Sequence, residues 1–111
     1  MLTKKEIQKN RGIFSETDKI MAATFKTLSD VNRYRIFRIL AEQPKLTVSS
    51  IAGILDISLP LASQHIKILA NANLLKKERT GKKVLTKLEN SNPFVQAMMK
   101  IIKLALKSTN K

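Results

Sequence analysis

Between Thr47 and Leu75 the chain reads TVSSIAGILDISLPLASQHIKILANANLL, and its apolar positions fall into two helical faces. Val48, Ile51, Ala52 and Leu55 recur at i, i+3, i+4 and i+7. Ala62, Ile66 and Leu69 continue that spacing in a second segment. Between them, Asp56-Ile57-Ser58 leaves room only for a turn, and Ser58 suits an N-cap. Pro60 falls in the first turn of the second segment, where a missing N–H costs nothing. Two short helices around such a turn make either a helix-turn-helix or an ordinary αα-corner. In the first case the second helix is a recognition helix. Its outward side then carries Leu59, Leu61, Ser63, Gln64, His65 and Lys67.

The pattern before this stretch is also helical. Residues 2–12 are mostly polar and basic, which predicts a frayed helix or a loose arm. Ser15-Glu16-Thr17-Asp18 is a capping signature for a helix over 16–27, with Met21, Phe25 and Leu28 aligned. Ser29-Asp30 caps a further helix over 31–42. There Arg33, Ile36, Phe37, Leu40 and Ala41 form a broad stripe, and Arg35 and Arg38 lie toward the exposed side. Pro44 ends it.

After Leu75 the period changes. Thr80-Gly81 marks a reversal, and Val84, Thr86 and Leu88 alternate with Leu85 and Lys87. Residues 76–88 therefore predict a two-stranded hairpin. Its cations, Lys76, Lys77, Arg79, Lys82, Lys83 and Lys87, face Glu78 alone. That suits a strand edge guarded by lysines or, after a recognition helix, a wing laid on a phosphate backbone or in the minor groove. Asn92-Pro93 opens a last helix over 94–106, where only Gln96, Lys100 and Lys103 are polar. Such a helix needs burial nearly all round. Its own domain covers one side, which points to a partner copy for another. The tail KSTNK is expected to be disordered. The implied divisions are an arm at 1–14, a DNA-binding domain at 15–92, a dimerisation helix at 93–107 and a tail at 108–111.

Charge turns this architecture toward a polyanion. The 21 Lys and Arg residues against 8 Asp and Glu give a net charge of +13. That balance suits nucleic acid or an acidic membrane surface. The first residues contain no uninterrupted apolar core of a signal peptide, and no apolar run reaches the roughly 18 residues of a membrane span. There is no cysteine, which excludes disulfides, thiolate metal sites and cysteine nucleophiles. No glycine-rich phosphate loop or carboxylate pair accompanies the one histidine, so an enzyme is not expected.

The stretch from Phe25 to Leu88 resembles the ArsR-type winged-helix transcription regulators. The resemblance rests on LSD-x-x-R-x-R-I-x-x-I-L at Leu28 to Leu40 and L-T-V-S-S-I-A at Leu46 to Ala52. It rests also on S-x-P-x-x-S-x-H-x-K-x-L at Ser58 to Leu69 and G-K-K-V at Gly81 to Val84. It implies a mostly helical α+β winged helix-turn-helix with a two-stranded basic wing and terminal dimerisation helices. It further implies a homodimeric cytoplasmic repressor on the palindromic operator of double-stranded DNA. Carried over by position, Ser58, Leu59, Pro60, Leu61, Ser63, Gln64, His65 and Lys67 read DNA, and Arg79, Thr80, Gly81, Lys82 and Lys83 form the wing. Met21, Phe25, Phe94, Met98, Ile101, Ile102 and Ala105 are the expected dimer contacts.

The chain departs from this family where metals bind. Family metal sensors place cysteines in the helix held here by Thr47 to Leu55, or Asp, His and Glu on the last helix. This chain has Val48 and Ser49 in the former and no acidic residue after Glu89. No metal or other cofactor is expected; regulation falls to protein level, a partner or an organic ligand. The side chains themselves suit base reading: Gln64 can bond adenine bidentately and Leu59 or Leu61 can touch a thymine methyl. With no arginine on the recognition helix, the site is expected to lean to A·T pairs. The sequence also admits two other readings, a nonspecific DNA-coating protein and an RNA-binding winged helix, the latter short of aromatic stacking residues.

Overall fold

The computed structural model describes residues 1–109, and side-chain caps decide where most of its helices begin. Helix α1 (Lys4–Arg11) opens with a capping box. Thr3 Oγ1 accepts the Glu6 N–H at 3.1 Å, and Glu6 Oε1 accepts the Thr3 N–H at 2.9 Å. The basic segment is thus a capped helix and not a loose arm, yet none of its residues is buried. Helix α2 (Thr17–Leu28) follows. Helix α3 (Val31–Glu42) starts at Asp30, whose Oδ1 accepts the Asn32 and Arg33 N–H groups at 2.9 and 3.0 Å.

A two-residue strand β1 (Leu46–Thr47) leads directly into α4 (Val48–Leu55). Thr47 ends the strand and caps the helix, its Oγ1 accepting the Ser50 N–H at 3.1 Å. Helix α5 (Leu59–Asn71), strands β2 (Leu75–Thr80) and β3 (Lys83–Leu88), and helix α6 (Pro93–Thr109) complete the chain. Helix α6 runs past the expected 94–106. Lys107, Ser108 and Thr109 are helical where a disordered tail is expected; the rest of that tail lies outside the described residues.

The sheet is antiparallel, in the order β1-β3-β2. The two-strand expectation misses β1, which pairs Leu46 with Thr86 and Thr47 with Leu85. Two residues are too short a run for an alternating pattern to reveal. Leu75 and Leu88 pair at the hairpin base and are buried. They join Ile36, Phe37, Ile51, Ile66, Leu69, Leu74 and Val95 in one core. Asn92 fastens α6 to this core. Its Oδ1 accepts the Phe94 N–H, while its Nδ2 donates to the Asn73 carbonyl, both at 2.9 Å.

The terminal helices add little to the core: α2 buries only Leu28, and α6 only Val95 and Ile102. The radius of gyration is 17.7 Å, against about 13 Å for a compact domain of this length. Ile20, Phe25, Ile101 and Leu104 stand exposed along those helices, and Ile13 and Phe14 on the connection before α2.

One buried group is out of place. Thr86 is fully buried on the core side of β3, and its hydroxyl has no hydrogen-bond partner among the described residues. Valine has the same shape without the desolvated hydroxyl. Thr86→Val is expected to raise stability by about 1 kcal/mol, measured by urea unfolding. A loss of that size would mean that the hydroxyl has a partner in solution.

Candidate nucleic-acid interface

The turn between α4 and α5 is built by backbone bonds. Asp56 adopts φ 55, in the left-handed region. The Ile57 N–H donates to the Ala52 carbonyl at 3.0 Å and the Asp56 N–H to the Gly53 carbonyl at 3.3 Å. This is the Schellman pair, which ends a helix and turns the chain away from it. Ser58 Oγ then accepts the Leu61 N–H at 3.2 Å and starts α5, as its sequence position predicts. Pro60 stands in the first turn. The far end of α5 closes the same way. Asn73 is at φ 61, and the Leu74 and Asn73 N–H groups donate to the Leu69 and Ala70 carbonyls.

Ala62, Ile66 and Leu69 are fully buried against the core. On the opposite side, Ser58, Leu59, Pro60, Ser63, Gln64 and Lys67 are exposed, with Leu61 half-buried. His65 departs from its expected outward position: it is 8% exposed. The reason is helical arithmetic. Ala62, His65, Ile66 and Leu69 stand at i, i+3, i+4 and i+7, so the histidine belongs to the inward stripe. The spacing carries that signal, against the polarity of the side chain.

His65 meets Arg33, a residue expected only to fill the α3 stripe. Arg33 Nη1 lies 3.4 Å from His65 Nδ1, and Arg33 Nε donates to the Thr27 carbonyl at 2.7 Å. Asp30 completes the junction. The Arg33 backbone N–H holds its carboxyl below the ordinary range, helped by the positive charge of Arg33 and by His65. One guanidinium therefore links the end of α2, the start of α3 and the buried side of α5.

The hairpin turn has two residues, Gly81 and Lys82, between the paired Thr80 and Lys83. Gly81 has φ 60, the conformation that tight hairpin turns matching strand twist demand at this position. Arg79, Thr80, Gly81, Lys82 and Lys83 are all exposed. The acid of the hairpin sits away from the tip. Glu78 accepts from Lys45 Nζ at 3.1 Å and pairs with Lys87 Nζ at 3.0 Å, and these lysines lower its pKa. Among the described residues Arg79, Lys82 and Lys83 form no ion pair. The hairpin packs on α5 through β2, which follows α5 after a short connection.

A second surface involves the terminal helices. Phe25 and Phe94 meet edge to face, with centroids 5.5 Å apart. Met21, Phe25, Ile101 and Ala105 are exposed, and Phe94 and Met98 are half-buried. Ile102, expected across a two-fold axis, is 5% exposed and packs into its own core. Ile101 and Leu104 occupy the outer side of α6 instead. Among the described residues no group of three or more His, Asp or Glu side chains comes together to hold a metal, and no helix is long and apolar enough to cross a membrane.

Residues 30–77, from the α3 cap through α5 to the start of the hairpin, match a family profile described as bacterial regulatory protein, arsR family. This stretch belongs to the arsR family. The chain is 33% identical over 72 residues to a cadmium resistance transcriptional regulatory protein CadC homolog of Staphylococcus aureus, covering 65% of this chain and 60% of that one. It is 34% identical over 77 residues to the arsenic resistance transcriptional regulator ArsR1 of Pseudomonas putida, covering 68% and 60%. The chain thus spans about three-fifths of the length of these curated relatives.

Solved structures share the arsR-type fold. The transcriptional regulator HlyU of Vibrio vulnificus superposes with a TM-score of 0.73 at 22% identity, covering 86% of this chain and 97% of that one. The homodimeric winged helix-turn-helix domain of Mb0332 from Mycobacterium bovis gives 0.71 at 20% identity, covering 88% and 92%. The transcriptional repressor PagR of Bacillus anthracis gives 0.68 at 26% identity, covering 78% and 95%. Family and fold are those of DNA-binding regulators and not of enzymes.

The Asp30 junction makes an acid-side prediction. A carboxyl held low in the folded state contributes stability that is complete above the unfolded value near 4. That stability is lost as the pH falls through the lower folded value. Asparagine caps a helix about as well and does not titrate. Asp30→Asn is expected to match wild type within about 0.5 kcal/mol at pH 7 and to lose less stability on acidification. Parallel denaturation curves from pH 7 down to the acid limit check this; identical acid losses would remove Asp30 from the account.

Proposed function

We propose that this protein is a sequence-specific transcription repressor that binds a palindromic operator in duplex DNA as a homodimer, in the cytoplasm. The observation that carries the reading is an exposed, largely polar face on α5 followed by a hairpin whose tip cations, Arg79, Lys82 and Lys83, have no ion-pair partner among the described residues. Gln64 is the bidentate base reader, with Leu59 and the outer part of Leu61 set for a thymine methyl. Ser58, Ser63 and Lys67 suit phosphates, as do the N–H groups at the start of α5. Pro60 removes one donor there and stiffens the approach. Arg79, Lys82 and Lys83 ride the backbone as the wing, with Thr80 and Gly81 shaping it. His65 leaves this set and positions α5 from behind.

The repressor does not answer to metal ions in this proposal. Relatives carry cadmium- and arsenic-resistance names, but thiophilic metals need thiolates, and this chain has no cysteine. Its one histidine is buried beside a guanidinium, a poor setting for a cation.

Two mutants separate reading from anchoring. Gln64→Ala is expected to relax preference at one base pair per half-site by about 1–3 kcal/mol. Lys82→Ala should weaken binding to every duplex alike and make the salt slope shallower by about one. Competition binding with selected and random duplexes reads both, and zinc, cadmium or arsenite should change neither. Equal affinity for all duplexes in wild type would end the specific-regulator reading.

Assembly is tested on exposed positions. Two recognition helices must meet major grooves about 34 Å apart, so a monomer cannot span a palindrome. Ile101→Glu with Leu104→Glu leaves the protomer core intact and is expected to give folded monomers that lose operator binding. Analytical ultracentrifugation with circular dichroism checks this. A wild-type monomer at micromolar concentration would contradict the proposal.

A further inference from the structure

A concavity of about 310 Å³ lies where α3 meets the end of α4, lined by Arg35, Arg38, Ile39, Ile54 and Leu55. Its lining shares no residue with the outer face of α5, the hairpin tip or the α2–α6 surface. Its chemistry is mixed, with two guanidinium groups over three aliphatic side chains. Arg38 is occupied, since its Nη1 donates to Glu42 Oε1 at 2.8 Å. Arg35 is exposed and forms no ion pair among the described residues. The site therefore presents one free cation beside an apolar floor. Ile54 adds to that floor and stands 53% exposed, apolar surface whose covering by a ligand is favourable. The volume is at the small end of ligand pockets, about 300–1,000 Å³.

We propose that this concavity binds a small amphiphilic monoanion, an organic carboxylate with an apolar body, and that its occupancy controls the aim of α5. The carboxylate pairs with Arg35, for which a guanidinium fork is suited. The apolar body covers Ile39, Ile54 and Leu55. Charge sets the class: one uncompensated cation matches one negative charge, and a second would meet Glu42. The position sets the consequence. Leu55 is the last residue of α4, and the next residue is Asp56, whose left-handed backbone begins the turn into α5. A ligand wedged between α3 and α4 acts on that turn directly. It changes DNA affinity by as much as it favours one arrangement of the turn over another.

The effect on DNA rests on the regulator reading above; the binding does not, and the test separates them. Octanoate serves as probe, with octanamide as its neutral counterpart, on the intact protein without DNA. Isoleucine and leucine methyl NMR is expected to show Ile39, Ile54 and Leu55 shifting with octanoate, with a Kd of about 1 mM or below. Arg35→Gln should weaken octanoate about tenfold while leaving the fold unchanged, and Lys100→Gln, on α6, should not. Shifts elsewhere in the protein only, equal binding of octanamide, or no loss in Arg35→Gln would overturn the site. DNA affinity is then measured at saturating octanoate on wild type and Arg35→Gln. A severalfold change in wild type alone supports control of the aim, and no change overturns it. Wild type that binds octanoate yet prefers no duplex sequence would sink the regulator reading while leaving the site standing.

Discussion

The roll angle of α5 is the constraint on which the rest depends. A helix can present any side to solvent, and here one stripe decides which. Ala62, His65, Ile66 and Leu69 are buried together, so Ser63, Gln64 and Lys67 have no choice but to face out. Rotating the helix by one residue would expose Ile66 and bury Lys67, at a cost of several kcal/mol for each exchange. Tilt is held from both ends by the same device, a Schellman pair before Ser58 and another at Asn73. Arg33 adds the third point by tying the buried edge of the helix to α2 and α3.

Charge is distributed to leave that presentation free. Glu78 and Glu89 engage lysines toward the base of the hairpin, Lys45 and Lys87 with the first and Lys76 with the second. These exposed pairs contribute little to stability. Their effect is selective: Lys45, Lys76 and Lys87 have carboxylate partners, and among the described residues Arg79, Lys82 and Lys83 at the tip do not. Phosphates can then take up Arg79, Lys82 and Lys83 without breaking an existing bond. The short strand β1 supports this arrangement. It brings Lys45 to Glu78 and pairs with β3, so the start of the helix-turn-helix and the wing belong to one sheet.

Sequence patterning made most of this visible, and its failures have physical causes. The two helices of the central motif, the Ser58 and Asp30 caps, the hairpin reversal and the last helix all follow from period and cap chemistry. Strand β1 did not, because two residues carry no period. His65 was misplaced because a titratable side chain on a recognition helix looks outward by type, while its spacing places it inward. Ile102 was misplaced for a related reason. On a helix apolar nearly all round, spacing cannot say which side meets the core and which meets a partner. Arg33 was visible only as one member of a stripe. Its bonds to Thr27 and His65 lie six and thirty-two residues away, beyond any local pattern.

In the proposed dimer, electrostatics and burial oppose one another. Each protomer carries +13, so pairing brings two strongly cationic bodies together at a cost that salt only partly screens. An interface made of Phe25, Ile101 and Leu104 answers this because apolar burial does not depend on charge. Operator DNA then removes the remaining repulsion by neutralising both wings at once. Dimerisation and DNA binding are therefore linked: DNA that binds the dimer better than the monomer favours assembly by the same factor. Raising salt weakens the phosphate contacts while relaxing the repulsion between protomers. Affinity for DNA should fall with salt even as the free dimer tightens, a pair of opposite trends that neither a monomeric DNA coat nor a dimer held by ion pairs would give.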